Sequence, residues 1–341
     1  MKPEPRRLDS SGLGNGLAVP PKIGFHASHE QFAPSRLLEL VRRAADAGFQ
    51  TAQSSDHIEP WGAEQGESGF AFAWLGAAMH ATDLPFTLVN APGDRYHPAI
   101  VAQAIATLEE MFPGRFSVAL GSGEAMNEHI TGNAWPPKHV RNQRLGECVE
   151  VIRALLAGER VTHDGLVTVS DAKVWSLPAN PPPLYAAALS PETARWAGTW
   201  ADGLITVNQE ESKLREIVGA FREGGGDGKP LLLQVHVCWA DDEESAARMA
   251  LESWKGNMLP GPLSQDIRLA EHFDMAAAFV RKEDVSKSVD VSSDPSRHAA
   301  NLARYAELGF STLNLHQVGP NQEEFVDVFG DKVLPQLGAA V

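Results

Sequence analysis

Between Ile23 and Leu337 the chain repeats one unit, a short apolar run followed by a longer stretch whose apolar residues recur every three or four positions. The first kind of run reads as a strand and the second as an amphipathic helix. Eight such units succeed one another, and this alternation restricts the fold more than any motif does. Strands are expected over residues 21–28, 51–61, 85–91, 115–121, 184–188, 203–207, 230–239 and 312–316. Helices are expected over 35–48, 71–82, 99–111, 139–157, 191–200, 211–224, 241–256 and 322–337, with further helices over 265–280 and 295–309. Strand cores such as Ser117-Val118-Ala119-Leu120 and Leu231-Leu232-Leu233 do not alternate strictly, as parallel strands covered on both faces should not.

The expected fold is therefore α/β, a single (β/α)8 TIM barrel spanning 22–341, with extra helices between strands seven and eight. A hairpin with Asp164-Gly165 at its centre is inserted over 160–174, and residues 1–21 form a loose polar arm. The competing architecture, a doubly wound open sheet, calls for a glycine fingerprint after the first strand, and Gly24-Phe25-His26 does not supply one.

Composition narrows the function. A net charge of −15 disfavours nucleic acid and anionic membrane surfaces as partners. No run of about eighteen apolar residues marks a membrane span, and the N-terminus has no apolar core of a secretory signal. Cys148 and Cys238 lie far apart and outside any ligand spacing, which points to packing roles in a reducing, cytoplasmic compartment.

In a barrel, reactive side chains gather where strands end in loops at the C-terminal face. Four such ends are chemically loaded here: Asp56-His57 and Trp61 after strand two, Asn90 after strand three, Gly121-Ser122-Gly123-Glu124 with Asn127 after strand four, and His316 after strand eight. His57 is the natural general base, because imidazole titrates near neutral pH and a neighbouring carboxylate can tune it. Glu124 becomes a second proton carrier if burial raises its pKa. The glycines permit close backbone approach to a flat or phosphorylated ligand. His26, His29 and His57 match no zinc spacing, so no metal is expected.

Ser55-Asp56-His57-x-x-Pro60-Trp61, Arg95-Tyr96-His97-Pro98-Ala99, Leu120-Gly121-Ser122-Gly123-Glu124-Ala125-Met126-Asn127-Glu128 and Ala201-Asp202-Gly203 together resemble the bacterial-luciferase-like superfamily. Within it the resemblance is to the branch of glucose-6-phosphate dehydrogenases that use the deazaflavin coenzyme F420. It implies a cofactor ring across the barrel mouth, with Asp56 at its edge, and Asn90, Gly121, Ser122, Gly123 and Asn127 around it. It further implies a non-proline cis bond forming a bulge at Leu88-Val89, pressing behind that ring. By the same resemblance His57 takes the proton from a substrate hydroxyl, Glu124 protonates the reduced ring, and Trp61 lines the substrate side. Gln209 and His316 would also face the substrate, a small molecule. Members of the superfamily are commonly homodimers, and the faces around Trp74-Leu75-Gly76-Ala77-Ala78-Met79 and residues 102–111 are the candidates.

The pattern breaks in two places. Where the sugar-phosphate enzymes carry two lysines and an arginine, this chain shows Gln209, the stretch Gln265-Asp266-Ile267-Arg268, and Ser288, with Lys287 and Arg268 as substitutes. At Ala188-Leu189-Ser190 the relatives have two glycines in place of Leu189 and Ser190, beside the cofactor's phosphate tail. This departure keeps FMN open as the alternative cofactor, in a reductase or monooxygenase. A flavin-binding barrel without turnover is the remaining alternative.

Overall fold

A computed structural model describes residues 20–259 and 261–338; the greater part of the expected arm at 1–21 lies outside them. Among the described residues eleven strands occur in chain order: β1 Lys22–Ala27, β2 Thr51–Ser55, β3 Phe86–Asn90, β4 Phe116–Leu120, β5 Val161–Asp164, β6 Thr168–Ala172, β7 Leu184–Ala187, β8 Leu204–Val207, β9 Leu231–Cys238, β10 Asp290–Val291 and β11 Thr312–Gln317. Eight of them follow one another in the order β9-β11-β1-β2-β3-β4-β7-β8, and β8 pairs back onto β9. All these pairings are parallel, so the sheet closes into the expected (β/α)8 barrel.

The helices cover the barrel for reasons already visible in their sequence. The helix Pro34–Asp46 opens on a proline, whose fixed φ suits the first turn. It buries Leu37, Leu40, Val41 and Ala44 along one stripe and stops where Gly48 turns to φ +93°. Arg43 on its outer face grips Asp327 through two hydrogen bonds of 2.8 and 2.6 Å, tying the first helix to the last. The tilted rings of Phe325 and Phe329, with centroids 4.2 Å apart, pack close to that contact. Trp74, Leu75, Ala78 and Met79, with Ala102, Ile105 and Ala106, are buried in the chain's own core, so most of the two faces singled out for dimerisation is consumed internally.

Three local expectations change. The hairpin β5–β6 is present, but its loop is the three residues 165–167 between Asp164 and Thr168, pinned by Glu147 Oε2, which accepts from Leu166 N at 2.7 Å and from His163 Nε2 at 3.0 Å. The helix expected over 265–280 is broken into Gly261–Asp266 and Ala270–Ala277, with Leu269 extended between them (φ −121°, ψ 139°). Its two halves serve different partners: Gln265 and Asp266 bond Arg141 and Trp135, whereas Phe273 packs edge-on against Trp61 at 5.4 Å. The closing helix is α-helical only over Gln322–Val328. It then loosens through Phe329–Val333, where Gly330 lies so close to the end of the first helix that a Cβ would meet Ala47 O at 2.7 Å.

The barrel interior is divided. Val89, Ala119, Ile205 and Leu232 form an apolar cluster on one side. On the other, Asn314 Nδ2 donates to Gln53 Oε1 at 2.8 Å and Gln53 Nε2 to Gln234 Oε1 at 2.5 Å. Gln234 Nε2 in turn lies 3.1 Å from His236 Nε2 and 3.4 Å from His316 Nδ1. Gly24 makes room for this network, since a Cβ there would stand 2.1 Å from Asn314 Oδ1. The short β10 pairs with Val237 and Cys238 of β9, beyond the point where β8 has ended, and so continues the wall upward at the mouth.

Candidate active site

The loops after β1, β2, β3 and β4 bring the loaded strand ends together. Asp56 is buried, and its carboxylate is held by protein donors: Asn90 Nδ2 at 2.8 Å, Arg95 Nη2 at 3.2 Å and Tyr96 OH at 3.2 Å. Arg95 also donates to the Asp56 main-chain oxygen at 2.8 Å and lies over the Tyr96 ring at 4.5 Å. Burial first, then the Asp56 charge, pushes the Tyr96 phenol upward and keeps it a donor.

His57 sits between two groups. Ile58 N donates to Asn127 Oδ1 at 3.0 Å, which turns Asn127 Nδ2 to His57 Nδ1 at 3.3 Å. On the other side His57 Nε2 stands 3.7 Å from Glu30 Oε1, a buried oxygen with no hydrogen-bond partner. Ser28 Oγ donates to the other Glu30 oxygen at 2.8 Å. Burial raises the Glu30 carboxyl, but His57 and His26 outweigh it, and the net shift is downward, to a carboxylate. Trp61 lies against His57 with centroids 5.2 Å apart.

Glu124 follows Gly123, whose φ of +80° is a conformation that favours glycine, and precedes the short helix Ala125–Glu128. Burial holds its carboxyl above the usual range, against the pull of His57 and Lys138. Ser122 Oγ accepts from Lys138 Nζ at 2.8 Å. Gly121 N donates to Asn90 O at 2.9 Å.

The remaining expected residues fall as follows. The Leu88-Val89 bond is trans, and no cis bond occurs among the described residues. The ladder explains this: Leu88 and Val89 pair in unbroken register with Ser54-Ser55 and Val118-Ala119, and Asp56 N donates to Val89 O at 3.1 Å, leaving no bulge. Ala188 is buried, Leu189 is 44% exposed, and Ser190 caps the helix Pro191–Gly198, accepting from Thr193 N at 3.3 Å. Gln209 is partly buried just after β8, with its Nε2 unpartnered. His316 is buried, stacked on His26 at 4.3 Å and edge-on to Trp254 at 4.8 Å, and its Nε2 bonds Gln31 Oε1 at 2.9 Å. Burial drives the His26 pKa down to about 4, that of His236 to about 3 and that of His316 well below normal.

Glu30 is the member that motif reading passes over. It stands three residues beyond β1, so applying the strand-end rule to the first strand as well would expose it. Around this mouth Glu30 Oε1, His26 Nδ1 and Asn90 Oδ1 are all buried and unpartnered. Such groups are costly to leave unsatisfied, about 1–3 kcal/mol each, and suit a polar ligand. Among the described residues no cluster of His, Cys, Asp and Glu is grouped to hold a metal ion, and no helix is long and apolar enough to cross a membrane.

The family model for luciferase-like monooxygenases matches residues 15–312. The chain belongs to the luciferase-like family. This luciferase-like chain is 35% identical over 339 residues to the F420-dependent glucose-6-phosphate dehydrogenase of Microbacterium testaceum, an alignment covering 94% of this chain and 98% of the relative. It is 36% identical over 344 residues to the enzyme of that name from Nakamurella multipartita, covering 95% and 99%. Among solved structures it resembles an F420-dependent secondary alcohol dehydrogenase in complex with an F420-acetone adduct. The TM-score is 0.88 at 30% identity, covering 94% of this chain and 99% of that one.

Proposed function

We propose that this luciferase-like barrel is an F420-dependent oxidoreductase that interconverts an alcohol and its carbonyl compound. The observation that carries the reading is His57, fixed by Asn127 on one ring nitrogen and facing the unpartnered Glu30 Oε1 with the other. The names of the relatives, which act with F420 on a sugar phosphate and a secondary alcohol, agree with it. When bound, the deazaflavin supplies the hydride acceptor or donor that no side chain provides. Val89, Asn90, Ser122, Gly123 and Lys138 are the residues we assign to holding it, and the unpartnered polar atoms at the mouth fit a ligand rich in polar edges.

The chain's own groups handle protons. Because Asn127 presents a donor to Nδ1, neutral His57 carries its proton on Nε2. An oxygen bound between Nε2 and Glu30 Oε1 can receive a hydrogen bond from the ring and give its own proton to the carboxylate. In alcohol oxidation the hydroxyl proton passes to the Glu30 carboxylate while His57 Nε2–H holds the oxygen, as the hydride leaves carbon; in the reverse direction the Glu30 carboxyl returns that proton to the oxygen. Glu124, with its raised pKa, carries the second proton on the β4 side. Trp61 walls the substrate side.

The test is to follow the F420 absorbance with purified protein and a panel of alcohols, comparing His57→Ala. Turnover that survives this substitution rejects the assignment. Oxygen uptake with reduced FMN, in place of alcohol-dependent F420 reduction, would install the monooxygenase reading instead. We assign the assembly as a homodimer, and light scattering at the mass of one chain would reject it.

A further inference from the structure

We propose that the substrate is an uncharged, hydroxyl-bearing compound and that the site turns away the corresponding phosphate ester; the inference rests on the oxidoreductase reading above. Beside Trp61 lies a cavity of about 230 Å³, formed by the loops and helices that follow β1, β2, β9 and β11. It is smaller than the roughly 300–1,000 Å³ of pockets for drug-sized ligands, so it suits a small substrate. Its ionisable lining is Glu64, Glu252 and Asp274 against Lys255 alone. Three carboxylates facing one ammonium give the entrance a negative potential, the wrong sign for a phosphate dianion.

The cations nearby are committed elsewhere. Arg95 is paired with Asp56, and Lys138, bonded to the Ser122 hydroxyl, is assigned above to the cofactor. Arg141 lies over Trp135 and bonds Gln265. The two residues that would stand in for the relatives' phosphate-binding cations do not reach this cavity. Arg268 lines a separate cleft with Asp94 and Glu128, and Lys287 pairs at 3.0 Å with Asp284 on the exposed surface. Phosphate recognition calls for forked, charge-assisted donors, and among the described residues that line the cavity none is an arginine.

What the cavity does offer suits hydroxyl groups. Trp61, with Phe273 edge-on behind it, gives an aromatic wall, and the carboxylates and Asn257 supply hydrogen-bond acceptors. Gln31, which lines the cavity, leads through His316 to the interior imidazoles, which burial keeps neutral. Gln31 itself offers the cavity a polar group without charge. Hydroxyls donate to carboxylates and amides at no cost in like-charge repulsion, whereas an added phosphate would meet Glu64 and Glu252 directly.

The experiment uses the F420-loaded full chain with 2-propanol, cyclohexanol, glucose and glucose 6-phosphate, reading F420 absorbance for turnover and isothermal titration for binding. The expected result is kcat/KM for at least one uncharged alcohol at least about tenfold above that for glucose 6-phosphate, with no competition by inorganic phosphate. Glu64→Lys combined with Glu252→Lys should then improve kcat/KM for the phosphate ester several-fold. Preference for glucose 6-phosphate, or competition by phosphate, overturns the proposal. If F420 binds yet nothing is turned over, the oxidoreductase reading has failed, and the titration still decides. Tighter binding of glucose than of its phosphate supports the charge selection, and the opposite order, or no binding by any uncharged compound, overturns it.

Discussion

Asn127 holds His57 by one ring nitrogen: its amide is oriented by Ile58 N at 3.0 Å, and its Nδ2 meets His57 Nδ1 at 3.3 Å. The tautomer of His57 is thus set from the short helix after β4, two strands along the barrel from the loop after β2 that carries the ring. Asn127→Ala should release the ring and lower kcat/KM about tenfold, equivalent to about 1.4 kcal/mol, the scale of one hydrogen bond. Asn127→Asp, which presents an acceptor to Nδ1, should instead displace the pH profile of kcat/KM. An unchanged profile in both variants would remove Asn127 from the mechanism.

Glu30 faces His57 Nε2 with an unsatisfied oxygen. Glu30→Gln keeps the shape and removes the proton acceptor, so kcat should fall by roughly 10²–10⁴-fold, the usual span for general acid–base groups, with little change in F420 affinity. Stopped-flow absorbance on the loaded protein measures the first, and fluorescence titration the second.

Glu124 has its folded-state pKa raised, by burial first. Such a group contributes stability that is fully present below its unfolded pKa and lost as pH rises through the folded value. Glu124→Gln should therefore raise the melting temperature relative to the parent at neutral pH, the difference vanishing near about pH 4, while activity falls. Equal melting temperatures at both pH values would contradict the burial effect.

The interior histidines act in the opposite direction along the pH axis. His26 and His236 have folded pKa values of about 4 and about 3, below the ordinary imidazole value, because burial disfavours the charged ring. Their contribution to stability is present above about pH 6.5 and lost as pH falls towards those values, at up to about 1.4 kcal/mol per pH unit for each ring. Melting temperature against pH should fall more steeply between about pH 6 and 4 in the parent than in His236→Gln.

Gly24→Ala places a methyl 2.1 Å from Asn314 Oδ1 and 3.1 Å from the Thr51 main-chain oxygen, which cannot retreat. Overpacking of this kind is expected to destabilise by about 1–3 kcal/mol or more, read as a lower denaturant midpoint.

The barrel is legible in the sequence because strand and helix periods differ and each unit carries both; Leu37, Leu40, Val41 and Ala44 declare their buried stripe through spacing alone. The mouth residues Asp56, His57 and Glu124 are legible because strand ends fall where apolar runs stop. The break at Leu269 is not, since a helix interrupted to serve Arg141 on one side and Trp61 on the other keeps its local periodicity. The trans Leu88-Val89 bond departs from expectation because the resemblance carries a geometry that only the pairing of β2, β3 and β4 decides. Glu30 escapes for another reason: its meaning lies in His57, twenty-seven positions further on, and no motif joins the two.

The two-residue β10 hangs on β9 above the level at which β8 has already sealed the ring. The described residues between Cys238 and Asp290 are thereby fastened at the rim and add no strand to the closed ring. That segment supplies Glu252, Lys255 and Asp274 to the cavity beside Trp61, while the residues around His57 come from the opposite end of the sequence. Lengthening or trimming it would redraw what the cavity admits and leave the loops that carry Glu30, His57 and Glu124 on their original foundations, so the proposed selectivity and the proposed chemistry can diverge on separate evolutionary clocks.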